Sequence, residues 1–238
     1  MKLDILAIGA HPDDVELSCS GTLLKHIALG KKCGIIDLTR GELGTRGSAE
    51  LRKLEATKAA KILGVSVRDN LNMADGFFVN DKKHQLALVK KIRQYQPEII
   101  LCNAVSDRHP DHGRAAQLVS EACFYSGLIK IETSINSKKQ TAWRPKAVYH
   151  YIQDKQLKPD FVVDITAFVD KKMEAIRAFQ SQFYDPASKE PETYISRPDF
   201  LETILLRARE LGKMIGVKYA EGFNSVRKAG VADFFQLK

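Results

Sequence analysis

Four strand-like segments, at residues 3–9, 33–39, 65–71 and 99–102, the first and last of them apolar runs, are each separated from the next by a segment long enough for one helix. Strands alternating with helices in this way predict βαβ units, hence an α/β fold with a mostly parallel sheet. Helices are expected over residues 18–29, closed by Gly30, and over 81–95, stopped by Pro97. Another runs from a Ser48 cap to Gly64, with Leu51, Leu54, Ala59 and Ile62 as its apolar stripe. A fourth helix is expected from Gly113 to Tyr125. Beyond it the pattern predicts strands at 147–152 and 161–165, a helix over 166–180 and a final amphipathic helix over 200–215. Residues 181–198 hold three prolines and read as a mobile loop. No repeat or internal boundary divides the 238 residues, so a single domain spanning 1–238 is expected.

Composition excludes several classes. The four cysteines lie far apart with no C-x-x-C pair, which reads as reduced thiols in a cytoplasmic protein rather than a disulfide frame. The first apolar run is interrupted by Asp4 and lacks a small-residue cleavage site, so it reads as a strand and not a signal peptide. No run reaches the roughly 18 apolar residues of a membrane span. The net charge of +8 favours an anionic partner. Its lysines come as scattered pairs such as Lys82-Lys83 and Lys171-Lys172, without interleaved aromatics, which suits a small acidic substrate and neither nucleic acid nor a membrane surface.

Two imidazole-carboxylate clusters stand directly after apolar runs: His11-Pro12-Asp13-Asp14 after the first, and His109-Pro110-Asp111-His112 after the run ending at Cys102. Strand ends of an open α/β sheet converge on one crevice, so the clusters can form one metal site. Hydrolytic zinc takes three ligands from His and Asp/Glu and keeps a fourth position for water. His11, Asp14 and His112 are the candidate ligands. Asp13, beside a ligand but pointing away, is the candidate base for a water whose pKa zinc lowers from about 15.7 to about 7. His109 stabilises an oxyanion or protonates a leaving nitrogen. Asp111 either holds the His109 imidazolium or orients a ligating histidine. Singly, each residue reads as an ordinary loop or helix-start residue; two clusters at two strand exits do not. Non-haem iron(II) oxygenases also use two histidines and a carboxylate, but the β/α alternation and the His-x-x-Asp spacing differ from theirs. A dinucleotide site fails on charge, because carboxylates replace the glycine fingerprint.

The run Ala10-His11-Pro12-Asp13-Asp14 with Glu16, together with His109-Pro110-Asp111-His112, resembles the LmbE-like (PIG-L type) zinc deacetylases, which remove acetyl groups from N-acetylglucosamine derivatives. Similarity extends to Gly41–Gly47 (GELGTRG) and to Tyr219-Ala220-Glu221-Gly222-Phe223, where the chain is most similar to the branch acting on N-acetylglucosaminyl-malate in bacillithiol biosynthesis. The resemblance implies a Rossmann-like fold and one Zn2+ per chain on His11, Asp14 and His112. It also implies Asp13 as general base with His109 and Asp111 assisting, and often a homo-oligomer. Malate carries two carboxylates, which makes Arg46, Arg52 and Arg108 candidate grips. Tyr194 is the candidate aromatic over the site, with Tyr184 competing. Another deacetylase of the family, or a thiol-conjugate amidase, shares the same reaction centre.

Overall fold

The computed structural model describes residues 1–236. In chain order its first half runs β1 (Ile5–Gly9), α1 (Asp14–Ala28), β2 (Cys33–Thr39), α2 (Ala49–Leu63), β3 (Val67–Met73), α3 (Lys82–Tyr95), β4 (Ile99–Cys102) and α4 (Pro110–Ser126). The second half adds a short hairpin, β5 (Ser134–Ile135) and β6 (Lys138–Lys139), then β7 (Ala147–Tyr151) and β8 (Phe161–Asp164). It ends with α5 (Val169–Arg177), α6 (Phe200–Lys213) and β9 (Ala220–Ser225).

Seven strands form one sheet in the order β3-β2-β1-β4-β7-β9-β8. The five from β3 to β7 are parallel, and β9 runs antiparallel between β7 and β8. The chain winds outward from β1 to β3 and returns to place β4 on the other side of β1. The sheet therefore reverses its winding between β1 and β4, where their carboxyl ends open a crevice. Every residue of β1 and β2 is buried, because helices cover both faces. On one face α3 and α4 pack Leu88, Ile92, Leu118 and Val119 against Leu6, Ile8 and Ile36. On the other, Val15, Cys19 and Leu23 of α1 meet Ala7 and Ile35. Outside α1, helices α2, α5 and α6 build a further cluster from Ala59, Ile176, Phe179 and Ile204.

Two helices differ from the sequence expectation at their starts, α1 beginning at Asp14 and α4 at Pro110. Asp14 and Pro110-Asp111-His112 stand in the first helical turns, while His11, Pro12, Asp13 and His109 remain in the turns before them. The stripe expected of α2 is rotated: Leu51 and Leu54 are 42% and 69% exposed. Its inward face instead carries Arg52 and Glu55, which hydrogen-bond to Asp13 and Ser181. Ser48 caps α2 by accepting from the Leu51 N–H, and Gly64 closes it. Strand β9 lies in the stretch read only as a similar tail, and its Glu221 reaches the middle of α1. There the carboxylate accepts the N–H groups of Gly21 and Thr22 at 2.9 and 2.6 Å. Lys172 of α5 donates to Glu221 at 2.6 Å and to the Leu17 carbonyl at 3.0 Å. A Cβ on Gly21 would stand 3.0 Å from the Glu221 oxygen and 2.8 Å from Ile165, so only glycine admits the carboxylate.

Lys172 and Glu221 are both buried, and removing one partner strands a charge in the interior. Lys172→Met is expected to lower unfolding free energy by about 3–5 kcal/mol, and Glu221→Gln in the same chain to recover part of that loss. Urea denaturation of the single and double variants measures both.

Candidate metal centre

Between β1 and α1 the chain turns within four residues. A Cβ on Gly9 would lie 3.0 Å from Cβ of Asp14 and 3.1 Å from the His11 carbonyl, so glycine ends the strand. The His11 N–H donates to Asp14 Oδ2 at 3.0 Å, closing the turn. Asp13, the residue before the helix, is held at φ 132°, a conformation that costs a non-glycine residue on the order of 1–3 kcal/mol. At the second exit Pro110 occupies the first helical turn, where its missing N–H costs nothing. His109 caps that helix, its Nδ1 accepting the Asp111 N–H at 3.2 Å.

The two exits bring the clusters together. His112 Nε2 lies 3.1 Å from Asp14 Oδ1, and His11 Nδ1 lies 3.6 Å from Asp14 Oδ2. His11, His109 and His112 each offer a ring nitrogen within 4.8 Å of the others, so Asp14 stands outside that trio yet faces two of its members. The opposite ring nitrogens are anchored. His112 Nδ1 pairs with Asp107 at 2.5 Å, and His11 Nε2 with Asp75 and Asp111 at 3.0 and 3.2 Å. Asn103 donates to Asp14 Oδ2 at 3.0 Å and Gln153 to Oδ1 at 3.1 Å. Imidazoles backed by carboxylates, with a third acceptor fixed between them, are the donor set and orienting shell of a divalent-ion site. His11, Asp75 and Asp111 also form a close group. Their oxygens already accept Leu43 and Gly76 N–H groups and an Arg114 donor, which suits the orienting of His11 better than an ion.

The electrostatics agree. Burial opposes protonation of His112, but Asp14 and Asp107 outweigh it and lift its pKa to about 9. Burial also opposes the charge on His11, yet hydrogen bonds to Asp111, Asp14 and Asp75 hold it well above the usual histidine range. The two cations in turn pull Asp14 well below the carboxylate range against its burial. Asp13 goes the other way: burial raises it to about 6 despite Arg52. His109 is lowered by burial and by its two histidine neighbours. The positive charge that two protons supply here is what one divalent ion supplies in their place.

Around the centre lies a cavity of about 500 Å³ lined by all ten residues that the sequence nominated except Asp111, which sits beneath it. Asp111 backs His11 rather than His109, the second of the two roles open to it. Arg52 donates to Asp13 at 2.7 Å, to the Pro12 carbonyl and to Gln182, and so holds the candidate base. Arg46 donates to the Ser181, Phe183 and Pro191 carbonyls and to Ser188, tying down the proline-rich segment. Both are buried; the Arg46 donors and both Nη groups of Arg52 are engaged by protein, while Arg52 Nε has no hydrogen-bond partner among the described residues. Arg108 stays at the rim, 4.2 Å over the Tyr194 ring. Tyr194 reaches the cavity and Tyr184 does not.

Residues 6–123 match the family described as PIG-L: GlcNAc-PI de-N-acetylase. Over 232 residues the chain is 32% identical to the diacetylchitobiose deacetylase of Thermococcus kodakarensis, covering 93% of this chain and 82% of that one. The chain belongs to the PIG-L deacetylase family. A probable N-acetyl-α-D-glucosaminyl L-malate deacetylase 2 of Bacillus anthracis is 26% identical over 196 residues, 75% of this chain and 81% of that one. Among solved structures, the conserved protein TT1542 of Thermus thermophilus superposes with TM-score 0.87 at 34% identity, covering 98% of both chains. The N,N'-diacetylchitobiose deacetylase of Pyrococcus horikoshii gives 0.78 at 27%, covering 93% of this chain and 83% of that one.

Four residues of this PIG-L site escaped the sequence reading. Asp107 lies in the loop before α4, five positions ahead of His112, and Asp75 lies just past β3. Asn103 and Gln153 stand just past β4 and β7, at the edge where the motifs themselves were found. Because His112 titrates at about 9 without an ion, binding at neutral pH must expel its proton. Divalent-ion affinity is therefore expected to rise with pH up to about 9, with roughly one proton released from this group at pH 7. Calorimetry in buffers of different ionisation enthalpy reads that proton. The ion-free fold should lose stability as pH climbs from 6.5 to about 9, where His112 gives up its charge.

Proposed function

We propose that the protein is a zinc-dependent hydrolase that removes the N-acetyl group from an N-acetylglucosamine conjugate, N-acetylglucosaminyl-L-malate in bacillithiol biosynthesis. One observation carries the chemistry: adjacent carboxylates, Asp13 and Asp14, are driven in opposite directions by their surroundings. A pair of acids pushed apart in this way divides into an acceptor of charge and an acceptor of protons. Asp14, His11 and His112 hold the ion, one per chain. Bound there, zinc supplies a Lewis acid that acidifies a water and polarises the amide carbonyl.

The remaining steps belong to this chain's side chains. Asp13 takes a proton as water oxygen bonds to the acetyl carbon, and Arg52 keeps its carboxylate aimed. His109 accepts the Asp111 N–H at Nδ1, so its hydrogen sits on Nε2, and burial keeps the ring neutral. Nε2–H donates to the carbonyl oxygen as that oxygen gains charge. Asp13 then returns its proton to nitrogen while the C–N bond breaks, leaving acetate and the free amine.

An acidic conjugate is supported by the cations Arg108 and Arg207 on the cavity wall and by the relative from Bacillus anthracis. A neutral disaccharide is the second reading, favoured by the 32% identity to the Thermococcus enzyme. Acetate release by zinc-reconstituted protein from N-acetylglucosaminyl-malate and from diacetylchitobiose separates the two. Preference for the disaccharide replaces the substrate, and release from neither ends the deacetylase reading.

Asp13→Ala should lower kcat by about 10²–10⁴ while one zinc per chain is retained; full turnover would remove Asp13 from the mechanism. Asp13 works deprotonated and titrates at about 6 without an ion. A neighbouring cation lowers that value, so kcat/KM should fall as pH drops through a limb at or below pH 6, and Asp13→Ala should erase the limb.

A further inference from the structure

Four arginines line the cavity: Arg46, Arg52, Arg108 and Arg207. Arg46 is tied to the proline-rich segment, and both Nη groups of Arg52 are spent on Asp13, Pro12 and Gln182, which leaves only its buried Nε unpaired. Arg108 Nε donates to Asp154 Oδ2 at 3.2 Å. Of the four, only Arg207 has a guanidinium that makes no hydrogen bond to any described residue. Its one ion-pair partner is Asp154 Oδ1, 3.6 Å away and beyond hydrogen-bond reach, although its side chain is only 22% exposed. A largely enclosed guanidinium with unmet donors is costly unless a ligand meets them.

Its position is set by α6. Phe200, Ile204 and Arg207 follow helical spacing and all three line the cavity, the first two as buried apolar wall. Asp154, just past β7, is the hub opposite: it also accepts the Tyr194 hydroxyl at 2.9 Å. Asp154 thus fixes Arg108 and Tyr194 at the rim while leaving the Nη groups of Arg108 and the whole fork of Arg207 available. Asp107 and Glu210 are the other acids near Arg207, and neither hydrogen-bonds to it.

Given the deacetylase reading, we infer that Arg207 is the specificity-determining residue of the cavity and grips a carboxylate on the portion of the substrate remote from the N-acetyl group. A planar fork facing a carboxylate forms two parallel charge-assisted hydrogen bonds, which neutral sugar hydroxyls do not match. Asp154 competes for the same cation and so limits how tightly an acidic group is held.

The test compares kcat/KM for N-acetylglucosaminyl-malate and for its neutral dimethyl ester, which carries the same scissile amide. The zinc-loaded wild type should favour the acid at least about tenfold, and Arg207→Gln should reduce that ratio about ten- to a hundredfold through KM. Asp154→Asn removes the rival carboxylate and should shift the ratio the other way. An acid-to-ester ratio near one in the wild type, or a ratio unchanged in Arg207→Gln, overturns the assignment. The wild-type comparison decides even if a variant fails to fold. If neither compound releases acetate, the deacetylase reading falls. Calorimetric binding of acid and ester to the wild type then decides the role of Arg207 on its own: equal affinities overturn it.

Discussion

Asp14 is the knot that ties the sheet's exits together. Its carboxylate receives the His11 N–H from the end of β1, Asn103 from the end of β4 and Gln153 from the end of β7, and it faces His112 on α4. A buried carboxylate tolerates such a place only when its lone pairs are met and its charge is balanced. Three neutral donors meet the lone pairs. The balance comes from His11 and His112, as protonated rings or as ligands of a shared ion. The reversal of winding between β1 and β4 is what lets segments so far apart in sequence supply these contacts.

Around that knot the charges are arranged in layers. Asp75, Asp107 and Asp111 back the two imidazoles, and each is itself held by backbone N–H groups from neighbouring loops. The carboxylates are kept ionised, since hydrogen bonds to the charged form outweigh burial in all three. His11 and His112 are therefore fixed in rotation before any ligand arrives. Pre-fixed donors need no reorganisation when charge develops, which is where electrostatic catalysis gains most.

How much of this the sequence discloses depends on range. Strands β2 and β4 fall where the sequence predicts them, because burial on both faces writes itself as mostly hydrophobic sequence, with Asp37 of β2 buried against Arg68. The Ser48 cap and the Gly64 stop are equally local. Helices α1 and α4 begin earlier than their apolar periodicity, since their first turns are made of polar motif residues serving the site rather than the core. Strand β9 contains Glu221, Gly222 and Asn224, a composition that hides a strand whose glutamate is needed inside another element. Arg52 and Arg46 were legible as cations near the motifs; that Arg52 meets Asp13, 39 residues away, and Arg46 meets Ser181, 135 residues away, depends on long-range packing.

Asp13 shows why the centre needs such heavy support. Its backbone stands at φ 132° and its carboxyl is buried, so both conformation and solvation work against it. Arg52 offsets each in one contact, donating to the Asp13 carboxylate and to the Pro12 carbonyl beside it. Arg52 is in turn held by Gln182, which donates to the Arg46 carbonyl, and Arg46 clasps the proline-rich segment. The strain at Asp13 is thus carried outward through two arginines into the cavity wall. The same segment that supplies Tyr194 to the rim also anchors the acid at the floor. Its three prolines then serve rigidity, because a wall that shifted would release Asp13 from its strained and least solvated position.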